Sequence, residues 1–314
     1  MGVFLPTLNQ MAFLMILIII GYIIVKLKVV QNEGTVLLSR LENNVFVPAL
    51  ILNTFVNNFT PETMNEAWKF FLGGIVFLTV ITPVALIIAR FLTKDKYLQK
   101  ICAYGLMFSN FGFMGNAIVM ALFPDMFMNY IIFVLPLWFA IYGWAVPMLL
   151  IPSTEGKQTV KETFKAFLNP MFVSILIGAI LGLTKAPLPD FLLTSFSSLG
   201  DCMSPVAMIL TGMVIATINL KTTLKNITIY IISLIRLLFI PLTAIIILIF
   251  IPIPYSIKLC VLCALAMPLG LNIIVVPSAY GKDVSVAAGM TLISHALSCI
   301  TIPMIFTIFQ LLIK

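Results

Sequence analysis

The sequence predicts an all-α polytopic membrane protein with ten transmembrane helices in two inverted five-helix repeats. Its mean hydropathy is +1.16, and 61% of its 314 residues are hydrophobic while only 9% are charged. A soluble protein of this length does not need so much apolar surface, and apolar stretches of about 20 residues recur along the chain. An internal repeat and an uneven distribution of basic residues indicate the inverted arrangement.

Ten apolar segments are candidates for membrane spans, several of them interrupted by Pro or Gly. The first has no positive charge before Lys26 and is long enough to cross a bilayer, so we expect a membrane helix rather than a cleaved signal. The connections are short and leave no room for a soluble domain. The predicted spans, in order, are 9–27, 39–57, 69–92, 99–122, 130–151, 169–184, 191–218, 227–250, 257–280 and 286–312.

The second half of the chain repeats the first at an offset of 156–158 residues. Identity is low, but helix-disturbing residues recur in the same order: Pro48 and Pro205, Pro83 and Pro241, Asn116 and Asn272, Pro147 and Pro303. Repeats with broken helices are typical of alternating-access transporters, whose sites lie near the bilayer midplane. We therefore expect a first repeat over 1–152, a linker over 153–168 and a second repeat over 169–314.

Basic residues are concentrated on one predicted side of the membrane. Of the 18 Lys and Arg residues, 13 follow odd-numbered spans, four lie on the other side, and Arg236 lies inside a span. The positive-inside rule then places the 153–168 loop in the cytoplasm and both termini outside, in a multi-pass protein of the cell membrane. Five spans per half is an odd number, so the second repeat is inverted. This topology explains the net charge of +7 better than a nucleic-acid partner does.

The fourth predicted span contains residues that disfavour a continuous apolar helix. Ser109, Asn110 and Asn116 are polar, and Gly112 and Gly115 weaken the helix between them. Close helix packing is the alternative explanation for the spacing of the two glycines.

The ninth predicted span is broken at the equivalent place by Pro268, with Gly270 and Asn272 following. Backbone polar groups cannot face lipid, so we expect the two breaks to cross and to satisfy each other. Half-helix N-termini then offer amide hydrogens to an anion, and C-termini offer carbonyls to a cation. Trp138, Tyr142 and Trp144 in the fifth span are expected to line a cavity beside the breaks or to lie at the lipid interface.

Two stretches resemble the auxin efflux carrier family, which includes bacterial malate and malonate permease-like members. They are SNFGFMGNAIVMALF in the fourth span and ALAMPLGLNIIVVPSAYGKDVSVAAGMTLISHALSCITIP in the ninth and tenth. The resemblance implies that helices 4 and 9 cross, that helices 1, 2, 6 and 7 form a scaffold, and that the other helices form a transport unit. It also implies a homodimer and transport of a small organic anion.

The resemblance places Asn110 on the family's crossover asparagine and Pro268 on its crossover proline. The chain departs from the family where Ala117, not proline, follows Asn116. The break in the fourth span is therefore expected to rest on glycines. The predicted substrate-binding residues are Ser109, Asn110, Gly112, Gly115, Asn116, Pro268, Gly270 and Asn272.

Few ionisable residues lie at predicted membrane depth, where charge is costly and each is a functional candidate. For Asp201 and Arg236 three roles stay open: a structural ion pair, a coupling-ion site at Asp201, and attraction of an anionic substrate by Arg236. His295, the only histidine, is a candidate proton relay or a hydrogen-bonded packing residue. The repeat places Asn44 on Asp201, which makes Asn44 a further coupling or gating candidate. Glu42 is expected to reach the interface.

These observations predict a secondary transporter of a small carboxylate, working by an elevator or rocking motion. The alternative is a sodium- or proton-coupled cation exchanger on a similar inverted fold. The sequence shows no nucleophile–base pair, carboxylate pair or metal-ligand spacing at membrane depth, so we expect neither an enzyme nor a metal or cofactor site. The expected partners are the anion, the lipid bilayer, a second copy of the chain and a coupling proton or sodium ion.

Overall fold

The computed structural model describes residues 4–151, 169–217 and 225–313. Within these ranges the chain is almost wholly helical and contains no β-strand. The predicted linker 153–168 lies outside the described residues, so its cytoplasmic location stays a prediction.

Fifteen α-helices are found in the described ranges, and short π-helical or 3-10 turns connect several of them. The turns are Glu42–Phe46, Phe111–Gly115, Pro124–Met126, Ile141–Leu150 and Ile235–Phe239. The helices are α1 Phe4–Lys26, α2 Asn32–Leu41, α3 Val47–Asn58, α4 Pro61–Leu92, α5 Lys96–Met107, α6 Asn116–Leu122, α7 Phe127–Ala140, α8 Pro170–Thr184, α9 Asp190–Asp201, α10 Met203–Ala216, α11 Ile227–Leu234, α12 Ile240–Phe250, α13 Tyr255–Ala266, α14 Asn272–Ala279 and α15 Ser285–Leu312.

The helices are those of a polytopic membrane protein. In the described ranges, seven helical segments are long and apolar enough to cross a bilayer: Phe4–Lys26, Gly34–Asn58, Pro61–Leu92, Pro124–Leu150, Asp190–Ala216, Ile227–Phe250 and Ser285–Leu312. Three shorter apolar helices accompany them: Phe111–Leu122, Pro170–Thr184 and Tyr255–Ala266. Each predicted span is helical over most of its described length. The count of ten membrane crossings and their inverted arrangement stay predictions.

Two helices begin earlier than the apolar pattern predicts. The helix of the second span begins at Asn32 rather than at residue 39, and α4 begins at Pro61 rather than at residue 69. The first turns of both helices are polar, so the apolar pattern of the sequence does not include them. At α4 the Thr60 hydroxyl accepts from the Thr63 amide and Thr63 caps Thr60 in return, which stabilises this start.

Prolines explain the interruptions in the second and seventh spans. A proline has no amide hydrogen and its ring clashes with the carbonyl four residues before it. Pro48 acts in this way on Asn44, which lies in the π-helical turn Glu42–Phe46. Pro205 acts on Asp201, where α9 ends before α10 begins. The predicted equivalence of Asn44 and Asp201 thus corresponds to two similar helix distortions.

Glycines allow the backbones of α1 and α10 to approach closely. A Cβ atom on Gly21 would overlap the carbonyl oxygen of Ile209, and one on Gly212 would overlap the carbonyl oxygen of Ile18. Small residues at helix contacts are a usual means of packing helices inside a membrane.

Glycines also allow helix α8 to approach α3 closely. A Cβ atom on Gly178 would lie 2.7 Å from the Cβ of Phe55 and 3.2 Å from the carbonyl oxygen of Leu52. A Cβ atom on Gly182 would lie 2.5 Å from the carbonyl oxygen of Phe59. Helices α1, α3, α8 and α10 therefore form two tightly packed pairs.

The first prediction concerns the contact of α1 with α10. Gly212→Ala forces the two backbones apart and should lower the melting temperature of the detergent-purified protein by about 5 °C, as overpacking usually costs a few kcal/mol. The control is Gly73→Ala, because the nearest atom to its Cβ would be a side-chain carbon of Ile257 at 3.3 Å. Equal melting temperatures for the two variants would show that α1 and α10 do not pack as described.

Candidate functional site

The fourth predicted span is broken, but not at its glycines. Helix α5 ends at Met107, residues 108–110 are not helical, and the chain turns helical again at Phe111. The expectation that the break rests on Gly112 and Gly115 is therefore wrong, because both glycines lie inside the π-helical turn that follows it.

The two glycines instead make room for aromatic side chains. A Cβ atom on Gly112 would overlap the ring of Trp138, and one on Gly115 would overlap the hydroxyl of Tyr130. That hydroxyl donates to the carbonyl oxygen of Phe111 at 3.0 Å. The close-packing explanation of the glycine spacing is thus the one that the structure supports.

The ninth predicted span is broken at Pro268, as predicted. Helix α13 ends at Ala266 and α14 begins at Asn272. Because Pro268 has no amide hydrogen, the carbonyl of Ala264 loses its helical donor.

The two breaks lie side by side as a short antiparallel pair. Ser109 and Leu269 form an isolated β-bridge, and the Asn110 amide donates to the carbonyl oxygen of Pro268 at 2.7 Å. The Ser109 hydroxyl donates to the carbonyl oxygen of Ala264 at 2.7 Å. Each break thus supplies partners for the polar groups that the other leaves free.

Arg236 lies behind this crossing and is completely buried. Its guanidinium donates to the carbonyl oxygens of Leu106 at 2.7 Å, Ala264 at 2.8 Å and Met267 at 3.2 Å. It does not pair with Asp201, which lies exposed at the end of α9. The ion-pair interpretation of these two residues is therefore wrong.

His295 is buried and holds the side chain of Asn110. Its Nδ1 lies 2.8 Å from the carbonyl oxygen of Thr291, and its Nε2 lies 3.0 Å from Nδ2 of Asn110. A carbonyl oxygen only accepts, so Nδ1 carries the proton and the neutral ring accepts from Asn110 at Nε2. The second-half residue His295 thereby orients the first-half residue Asn110.

A cavity of about 470 Å³ opens at the crossing. The residues that begin the helical segments after both breaks line it, together with Trp138 and Tyr142. Trp144 is not in the lining and contacts the ring of Phe108 instead. Its lining includes five of the predicted binding residues: Ser109, Asn110, Gly112, Gly270 and Asn272. The amide of Asn272 donates to the hydroxyl of Tyr104 at 2.8 Å.

Three predicted binding residues are not in this lining. Gly115 contacts Tyr130, and Pro268 contributes through its carbonyl oxygen at the crossing. Asn116 is buried, and no partner for its Oδ1 is found among the described residues.

The cavity also contains residues that the sequence analysis did not select. One face of α2 and the turn after it contributes Val36, Ser39, Arg40 and Asn43. Their spacing is that of a single helical face, which could have identified them. Arg40 belongs to the basic residues that predict the topology, and it is the one charged side chain among the described residues that line the cavity.

Neither Asn44 nor Glu42 lines this cavity. Asn44 is exposed, donates to the carbonyl oxygen of Arg40 at 2.7 Å and lines a second cavity of about 70 Å³. Glu42 does not reach the interface as expected. It is completely buried, and neither carboxyl oxygen has a hydrogen-bond partner among the described residues.

A search of curated proteins found no match. A family model described as membrane transport protein matches residues 6–306, nearly the whole chain. This family consists of membrane transporters rather than enzymes. The chain belongs to the auxin efflux carrier family of membrane transport proteins.

Proposed function

We propose that this protein is a secondary active transporter that moves a small organic anion, a carboxylate, by alternating access. The observation that carries the proposal is the cavity at the crossing, where two helix starts and Arg40 meet. Amide hydrogens and the positive ends of helix dipoles favour an anion at such a place. A guanidinium adds charge and a geometry that fits a carboxylate.

The side chains around the cavity suit a small partly apolar anion. Ser109, Asn110 and Asn272 supply polar atoms, while Trp138 and Tyr142 stack with ring centroids 6.0 Å apart. A cavity of about 470 Å³ lies within the usual range for small-molecule sites. The substrate class is therefore small carboxylates with an apolar part.

Reciprocal contacts support the inverted repeat that alternating access requires. The offset of 157 places Gly21 on Gly178 and Leu52 on Ile209. In space, Gly21 packs on Ile209 and Gly178 packs on Leu52, so the same contact occurs twice with the halves exchanged. A two-fold relation between the halves explains this exchange.

The packing also supports a division into scaffold and transport unit. Helix α1 packs mainly on α10, and α3 packs mainly on α8 and α9, whereas the broken helices, Arg236 and His295 form the crossing. In our proposal the first group is the scaffold and forms a homodimer. The second group moves in an elevator or rocking motion, with both termini outside the cell membrane.

The cavity argues against the alternative of a cation exchanger. Exchangers of this kind need acidic groups where the cation binds, and among the described residues no carboxylate lines the cavity. A cation would meet Arg40 there instead, so the anion is favoured.

The experiment that tests this function is uptake of labelled carboxylates into proteoliposomes. Asn110→Ala and Pro268→Ala should reduce uptake by roughly tenfold or more, while the amount of protein in the membrane stays near wild type. The first removes a polar group from the cavity, and the second restores an amide that can close the helix over the break. Asn57→Ala and Pro83→Ala are controls away from the crossing. Normal uptake by both crossing variants would contradict the proposal.

A second prediction concerns the charge at the cavity. Arg40→Ala should raise the substrate KM by roughly threefold at low salt, and less at high salt, since Arg40 is exposed and screened. Arg40→Lys keeps the positive charge and should therefore raise the substrate KM less than Arg40→Ala does. Arg90→Ala removes an exposed charge that does not line the cavity and should leave KM unchanged. An equal change in both alanine variants would show only a general surface effect.

A third prediction concerns His295. His295→Leu leaves the Asn110 side-chain amide without its buried acceptor. It should raise the substrate KM about tenfold, which corresponds to the free-energy cost of one unsatisfied buried polar group. His295→Gln can still accept from Asn110 and donate to Thr291, so it should stay close to wild type. If both variants behave alike, His295 does not act through Asn110.

A further inference from the structure

We propose that the guanidinium of Arg236 is a resident cation, which occupies the place where a coupling cation would bind between the ends of the two broken helices. The proposal predicts that this crossing needs no bound Na⁺ or K⁺ for folding, substrate binding or transport. The statement about transport rests on the proposed function, while the statement about the cation site does not.

The carbonyl groups of Leu106 and Ala264, which form part of this site, have lost the amide donors that they would have in a continuous helix. In an unbroken helix the carbonyl of Leu106 would accept from the amide of Asn110, but that amide donates to Pro268. The carbonyl of Ala264 would accept from residue 268, which is a proline and has no amide hydrogen. Both carbonyls lie at C-terminal helix ends, where the partial charge is negative.

Arg236 is positioned to satisfy both ends at once. Pro241 removes the donor for the carbonyl of Leu237, and the chain forms the π-helical turn Ile235–Phe239 there. From this turn the guanidinium reaches three carbonyl oxygens at 2.7–3.2 Å, one from the α5 end and two from the α13 end. Its five donors and fixed charge suit a ring of carbonyls.

Arg236 has no anionic partner within 4–151, 169–217 and 225–313. The ion pairs found within the described ranges join Lys69 to Glu66 and Lys185 to Glu62. Buried basic residues in membranes pair with carboxylates or with backbone carbonyls, and Arg236 uses carbonyls alone. Its positive charge is therefore balanced by two helix ends, as a bound metal cation would be.

Unwound carbonyls and half-helix C-termini are the groups that coordinate Na⁺ in transporters with broken helices. Here a covalently attached cation fills that position. The carbonyl of Ala264 is shared by Arg236 and by Ser109, which lines the cavity. Arg236 is thus a positioning residue that maintains positive charge behind the anion cavity without lining it.

The test removes the guanidinium of the Arg236 side chain and supplies a free guanidinium ion in its place. In Arg236→Ala the carbonyls lose their donor, and we expect the melting temperature to fall by roughly 5–10 °C. Guanidinium or methylguanidinium, at millimolar concentrations well below the denaturing range, should restore most of this loss in a saturable manner. Choline at equal ionic strength should restore nothing. Arg90→Ala is the matched control and should not respond to guanidinium.

The wild-type protein supplies an independent measurement. Its melting temperature, and its carboxylate uptake into proteoliposomes, should be equal in Na⁺, K⁺ and choline at constant pH and ionic strength. Arg236→Lys keeps one charge and should lie between wild type and Arg236→Ala in stability. Should Arg236→Ala not yield folded protein, Arg236→Lys and the wild-type comparison decide the question.

Two results would overturn the inference. One is a wild-type protein whose stability or uptake depends on Na⁺ or K⁺. The other is an Arg236→Ala protein that is destabilised but shows no response specific to guanidinium, which would indicate an ordinary packing role. If no carboxylate is taken up at all, the proposed function fails, yet the stability measurements still decide whether Arg236 fills a cation site.

Discussion

The structure depends on one constraint: backbone polar groups freed by a broken helix must find partners without water. Pro268 frees the carbonyl of Ala264, and the departure of Asn110 to the other break frees that of Leu106. Each break supplies part of what the other lacks, and Arg236 supplies the remaining donors. Neither break could exist alone at membrane depth, because each unpaired group would cost several kcal/mol.

This arrangement separates two kinds of helix end. The C-terminal ends of α5 and α13 are neutralised on one side by Arg236. The starts of the helical segments that follow stay directed to the cavity, where Asn110 is held by His295. In the proposed function the anion binds at these helix starts, and the same hydrogen bonds that stabilise the crossing orient the groups that would bind it.

Much of the fold could be predicted because long apolar segments indicate membrane helices. The break at Pro268 could also be predicted, because a proline has no amide hydrogen to continue the helix. The break near Asn110 lies earlier than the glycines predict, because the Asn110 amide donates to the other half of the chain and no local glycine marks the place. Arg236 and Asp201 were expected to meet because depth along a helix says nothing about which way a side chain points. Arg40 was missed because its charge already had an explanation in topology.

The central claim is that the crossing binds a carboxylate. The most direct measurement is the thermal stability of the purified protein against a panel of mono- and dicarboxylates, with and without sodium, at two pH values. A ligand at about 100 times its dissociation constant should add roughly 2.7 kcal/mol to folding stability. The account predicts a rise specific to certain carboxylates, present without sodium and absent in Asn110→Ala. A shift with sodium or pH alone, with no carboxylate effect, would contradict it.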